Sequence, residues 1–177
     1  MEKKKTAKII LRILLSVTLV AFIAWIFSNS LRVATDSAAQ SQSVTQVIQN
    51  FFKVIAPNSF IATATGEDFD LLEDIIRVLA HFAEFALLGA LCFWTYRAYT
   101  FKKRWVFLPF SVAAFVGIVD EILQFFTPGR AFEWLDVGID FGGVLIGCLF
   151  AWLTVWLGEK IHQKSVKKRL QKEGKNE

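Results

Sequence analysis

"IIRVLAHFAEFALLGALCFWTY", residues 75–96, decides the fold. Its length and apolarity suit a helix that crosses a membrane, since about 20 such residues span the hydrocarbon core. Three further apolar runs, 9–27, 105–126 and 137–157, have similar lengths. With 54% hydrophobic residues in 177, the chain is too apolar for an ordinary soluble domain. A closed β-barrel would need short alternating strands, and no such alternation is present. The expected fold is an all-α integral membrane bundle of four transmembrane helices.

Charge placement sets the expected orientation. Lys3, Lys4, Lys5, Lys8 and Arg12 precede or enter the first span, and Arg97, Lys102, Lys103 and Arg104 link the second and third. The tail, 158–177, holds seven basic residues against three acids. The segment 28–74 is acid-rich, with Asp36, Glu67, Asp68, Asp70, Glu73 and Asp74 against Arg32 and Lys53. Basic residues stay on the cytoplasmic side, so both termini are expected inside. Trp25 and Trp134 then mark outer boundaries, and Trp94, Trp105, Trp152 and Trp156 inner ones. The net charge of +4 reports topology, and no folded basic domain points to nucleic acid. The organisation is a basic cytoplasmic N-terminus, 1–8, a membrane domain, 9–157, and a basic cytoplasmic tail, 158–177, read as a solvated helix or an unfolded end. "MEKKK" resembles the start of a secretory signal. The following run is long for one and lacks a clear small-x-small cleavage site, so an uncleaved helix is expected. Cys92 and Cys148 fall within spans and read as packing residues.

The outer segment 28–74 contains "QSVTQVIQNFFKVI", 42–55. Val44, Val47, Ile48, Phe51, Phe52 and Ile55 form an amphipathic helical stripe, expected on the outer membrane surface as an anchor or as a lid over a site. Pro57, Asn58 and Ser59 break it, and Thr65 is a candidate N-cap for the next helix.

Ionisable residues interrupt the spans. Arg77, His81 and Glu84 share one helical face by their i, i+4, i+7 spacing. Asp120, Glu121 and Gln124 are expected to share a face of the third span, with Gly117 one turn away. Asp136 and Asp140 share a face of the fourth, continuing as Gly143 and Gly147 of "GVLIG", a small-xxx-small packing motif. With the expected topology Glu84 lies about 14 Å below the outer boundary, and Asp120 and Asp140 roughly 6–9 Å below it. A lone intramembrane charge costs roughly 3 kcal/mol on the lenient scale, so these groups are expected to converge. Thr127, Pro128, Gly129 and Arg130 suit a type II turn, with Gly129 at φ > 0. That turn would hold Arg130 over the acids.

"RVLAHFAEFALLG", 77–89, and "DEILQFFTPGRAFEWLDVGIDFGGVLIG", 120–147, together resemble the VanZ-like membrane protein family. The matching residues are Arg77, His81 and Phe82, then Asp120, Glu121 and Gln124, then Pro128, Gly129 and Arg130, then Asp136, Asp140 and Gly143. "FSNS", 27–30, with Ser37 and Ser41, is similar to the family's outer end of the first helix. Val78 departs from the Lys that many members carry after the Arg. The resemblance spans roughly 9–157. It implies a bacterial cytoplasmic-membrane protein and a connection to glycopeptide antibiotics, the founding member being associated with low-level teicoplanin resistance.

Four readings of the polar cluster stand side by side. In a structural network, Arg77, Arg130 and protonated His81 neutralise the acids and specify helix pairing, although five acids then face two permanent cations. In a binding site open to the outer leaflet, Arg77 and Arg130 hold the phosphate of a membrane lipid or lipid-linked cell-wall precursor, and the acids meet hydroxyls or amines. In an enzyme, His81 and Glu84 with Asp120 and Asp140 hold a metal, or a carboxylate and His81 form an acid–base pair on a lipid head group. No activated nucleophile motif accompanies them. A transporter is the fourth reading, requiring self-association in so small a bundle. The glycine face suits either packing within the chain or a homo-oligomer. Substrate, cofactor and oligomeric state stay open.

Overall fold

A computed structural model describes residues 2–100 and 106–173. Among them the chain is helical and has no strand. The order is α1 (Glu2–Ser30), α2 (Ala34–Ile55), α3 (Phe60–Thr63), α4 (Glu67–Tyr99), α5 (Leu108–Phe125) and α6 (Trp134–Glu173). Four of these, α1, α4, α5 and α6, are long and apolar enough to cross a membrane. The helices outrun the apolar spans because polar ends can extend into water. Thus α4 begins among Glu67, Asp68 and Asp70, and α6 carries the basic tail on as one helix. The expected Lys102, Lys103, Arg104 and Trp105 lie outside the described residues.

The first part of α1 and the later part of α6 lie at the same end of the bundle. Arg12 Nε donates to the Ala98 carbonyl (2.9 Å), and Arg97 Nη2 meets Glu159 Oε1 (2.5 Å). At the opposite end, the Ala34 N–H donates to the Pro128 carbonyl (3.3 Å) and Thr127 Oγ1 to the Ser30 carbonyl (3.0 Å). We call these the Tyr99 end and the α2 end. It follows that α4 and α6 run parallel, and their interface is the most extensive in the bundle.

That interface is made by absent side chains. A Cβ on Gly143 would lie 2.5 Å from the Phe82 carbonyl oxygen and 3.1 Å from the Ala86 nitrogen. One on Gly147 would overlap the Ala86 carbonyl, and one on Gly89 the Val144 carbonyl. The "GVLIG" motif is therefore used within the chain, backbone against backbone, as small residues permit in lipid. Cys148 sits in the same contact, its Sγ 3.4 Å from the Gly89 carbonyl. Beside it, Ile26, Phe85, Leu88, Ala113 and Val144 form a fully buried apolar layer joining all four spans. The outer faces stay apolar and exposed, as at Leu14 and Val17 on α1 and Phe115 on α5.

Residues 34–55 form one helix, longer than the 42–55 stripe. Ser37 and Ser41 thus lie on α2 and not at the end of α1. Gly66, at φ 58°, caps α4 where Thr65 was expected, and no side chain supplies a capping hydrogen bond. The turn after α5 has Gly129 at φ 79° and an Arg130 N–H···Thr127 carbonyl bond of 3.1 Å, as a type II turn requires.

Replacing Gly147 by Ala should lower stability by about 1–3 kcal/mol, because backbone must move to admit the methyl group. Gly138→Ala, where a Cβ meets nothing within 4 Å, should be neutral. Thermal unfolding in detergent, followed by tryptophan fluorescence, checks both.

Candidate functional site

The amphipathicity of α2 is turned inward. Val47, Phe51, Val54 and Ile55 are exposed, whereas Thr45 and Gln49 are buried. Gln49 Nε2 donates to the Ala64 carbonyl (2.7 Å), fixing the polar face against the segment before α4. The same face carries Ser37 and Ser41 toward α4 and α5, where they border two adjoining cavities of about 180 and 240 Å³.

The larger part of the expected cluster meets there. Arg77, His81, Gln124 and Arg130 line both cavities. Glu84 and Asp120 line the first, and Asp136 the second. Asp120 is buried and held by two donors, Ser30 Oγ from α1 and Gln124 Nε2 (2.8 Å). The Ile26 carbonyl lies 3.0 Å from the same Ser30 Oγ, so its one proton is shared between that carbonyl and Asp120, and the hydroxyl joins the end of α1 to α5.

Two expected members stand outside the cavities. Glu121 is fully buried on another face of α5, because adjacent helical residues do not share a face. Its Oε2 accepts from the Glu133 N–H (3.2 Å), tying α5 to the approach to α6. Asp140 lies behind His81, buried against Gly117, where a Cβ would be 3.7 Å from its Oδ2. His81 Nδ1 is 3.8 Å from Asp140 Oδ1. Neither atom has a hydrogen-bond partner among the described residues. Nor do Asp140 Oδ2, Glu121 Oε1 and Asn29 Oδ1. Buried polar atoms are rarely left so, and several together mark a place where water, a proton or a ligand completes the set.

Apart from the 3.8 Å approach of His81 to Asp140, the ion pairs of a structural network are not formed among the described residues. Arg77 sits at the rim, half exposed, 3.9 Å from Asp74 on its own helix. Arg130 has no acid within ion-pair distance. No group of three or more His, Cys, Asp or Glu is gathered tightly enough to hold a metal ion among those residues, so His81, Glu84, Asp120 and Asp140 do not form a ready ligand set.

Asn29, Ser30 and Gln40 border the first cavity, and Glu73 and Glu133 the second, without having been expected. Asn29 and Ser30 had a signal: two polar residues closing an apolar span. The glutamates had none beyond their acid-rich surroundings.

A model of the VanZ/LLP1 family matches residues 13–156. The chain belongs to the VanZ/LLP1 family. No curated protein and no solved structure matches it. The matched region takes in all four spans and α2, so this VanZ-family membrane protein carries both cavities within its family domain.

The inward polar face of α2 has a direct test. In a chain with Cys92 and Cys148 replaced by Ala, Ser41→Cys should react with a water-soluble thiol reagent in native membranes. Val47→Cys, on the apolar face, should not. Equal labelling of the two would refute the arrangement.

Proposed function

We propose that this protein binds the head group of an envelope lipid or lipid-linked cell-wall precursor in the crevice between α2 and the bundle. The observation that carries the proposal is the position of Arg77 and Arg130. They come from different elements, border both cavities, and make no ion pair with the cluster's acids. A guanidinium presents paired donors that match phosphate oxygens, and within a membrane such a charge marks function. Glu84, Asp120, Asp136 and the hydroxyls of Ser37 and Ser41 suit the hydroxyls and amines of a sugar–peptide or glycerol head group. The exposed apolar face of α2 suits an element resting in the lipid interface.

The same reading extends to location. The positive-inside pattern supports a bacterial cytoplasmic membrane, with the Tyr99 end, 1–8 and 158–177 in the cytoplasm and the crevice outside. Residues 9–157 form the functional domain. Glycopeptide susceptibility is then a natural readout, given the family's link to teicoplanin resistance and the antibiotic's lipid anchor.

Native mass spectrometry of gently purified protein tests the proposal. A phosphate-bearing lipid should be retained, and Arg77→Ala or Arg130→Ala should weaken retention about tenfold or more, as expected for losing hydrogen bonds to a charged group of about 1.5–3 kcal/mol. Retention unchanged in the double variant would overturn it. A membrane-impermeant thiol reagent on intact cells tests the orientation: Ser41→Cys should be labelled from outside.

The approach of His81 to Asp140 supports a second reading, acid–base catalysis on the bound head group. Catalytic hydrogen bonds are often long before substrate arrives, and an Asp behind a His fixes its tautomer. On this reading His81→Ala lowers turnover of a bound phospholipid or precursor by about 10²–10⁴-fold while lipid retention persists. Retention without turnover in the wild-type chain would leave binding alone.

A further inference from the structure

A second cleft, of about 520 Å³, opens at the Tyr99 end between α1, α4 and α6. It lies across the apolar layer from the crevice. Its α1 wall is Lys8, Leu11, Arg12 and Leu15, the i, i+3, i+4, i+7 positions of one helical face. Two cations and two leucines thus alternate along the wall. The opposite wall is Trp94 and Val155, with Arg97 at the mouth. Among the described residues one acid, Glu159, borders the cleft, and Arg97 already pairs with it.

The cations are differently committed. The Arg12 guanidinium lies over the Tyr99 ring, 5.2 Å from its centroid, and its Nε donates to the Ala98 carbonyl. Its position is therefore fixed, while no acid among the described residues pairs with its charge. Lys8 is exposed, one turn farther toward the chain's start. The cleft therefore has a positive mouth, an apolar floor and a tryptophan at the level where indoles settle in membranes. Basic pockets between transmembrane helices are a form that lipid head-group sites take.

We propose that this cleft binds an anionic membrane phospholipid, with the phosphodiester held between Lys8 and Arg12 and an acyl chain along Leu11, Leu15 and Val155. The charge balance decides the occupant: after Arg97 and Glu159 cancel, Lys8 and Arg12 remain, complementary to an anionic head group and not to a zwitterionic one. The leucine spacing decides its second half, because a soluble anion would leave that floor uncovered. This site is independent of the crevice and does not rest on the function proposed for it.

The test uses the full chain in nanodiscs of phosphatidylglycerol mixed with phosphatidylcholine, with retained lipid counted by native mass spectrometry after release into detergent. Wild type should retain phosphatidylglycerol preferentially. Lys8→Gln, a change at an exposed side chain, should reduce the preference about fivefold, and Lys8→Gln with Arg12→Gln about thirtyfold. Because Arg77 and Arg130 line the crevice, the cleft is read in the Arg77→Ala, Arg130→Ala background, where the phosphatidylglycerol preference should persist and should fall on adding Lys8→Gln. Equal retention of the two lipids by wild type would overturn the proposal. So would a preference that Lys8→Gln leaves unchanged in that background, or one that is absent from that background altogether. If the double glutamine variant fails to fold, Lys8→Gln alone decides.

Discussion

The backbone contact between α4 and α6 is the constraint on which the rest depends. Gly89, Gly143 and Gly147 let two parallel helices touch without intervening side chains. Close approach fixes both separation and register. The pairs that bridge the two helices keep nearly the same sequence offset along their length: 59 between Gly89 and Cys148, 60 between Trp94 and Thr154, and 62 between Arg97 and Glu159. Extended about two turns toward the α2 end, this register sets Asp140 behind His81. The position of the only histidine in the cluster is thus a consequence of three glycines. The small-xxx-small face of α6 is packed inside the chain, against α4.

The second determinant is α2. A helix resting on a membrane ordinarily turns its polar face to water. Here that face meets the bundle, through Thr45, Gln49, Ser37 and Ser41, while Val47, Phe51 and Val54 look outward. The bundle end accepts this because it is itself polar. Arg77, His81, Glu84, Asp120 and Gln124 would otherwise face hydrocarbon on at least one side. The covering helix supplies hydroxyls and amides there, and its apolar face presents to lipid what the bundle cannot. The polar face of α2 therefore borders the cavities while its apolar face stays exposed.

Much of this was legible because intramembrane polarity is so unfavourable that it must be organised. The spans, the helical spacing of Arg77, His81 and Glu84, and the turn at Gly129 all follow from local rules. The errors were local too. Asp120, Glu121 and Gln124 are expected on one face, yet the neighbours Asp120 and Glu121 point about 100° apart on a helix. The structural-network reading would pair Arg77 with the cluster's acids, but its neighbour one turn back, Asp74, meets it at the rim. Asp140 shares a face with Asp136, but register with α4, invisible in α6 alone, decides that His81 stands between Asp140 and the cavity. The contribution of α1 through Asn29 and Ser30 needed the same knowledge of how helices meet.

The apolar layer separates two chemistries and bears on transport. Ile26, Phe85, Leu88 and Val144 are essentially inaccessible, and each span sends at least one side chain into the layer they share with Ala113. The crevice lined by Glu84 and Asp120 lies on one side of it, and the basic cleft lined by Lys8 and Arg12 on the other. A polar solute crossing this bundle would have to open that packing, which close-packed interiors resist. The α4–α6 backbone contact makes the opening harder, since those two helices have no side chains between them to rotate aside. The arrangement therefore favours ligands that enter and leave each site from its own side of the membrane. Lipids do so, because they reach a crevice laterally between helices and need no passage through the core.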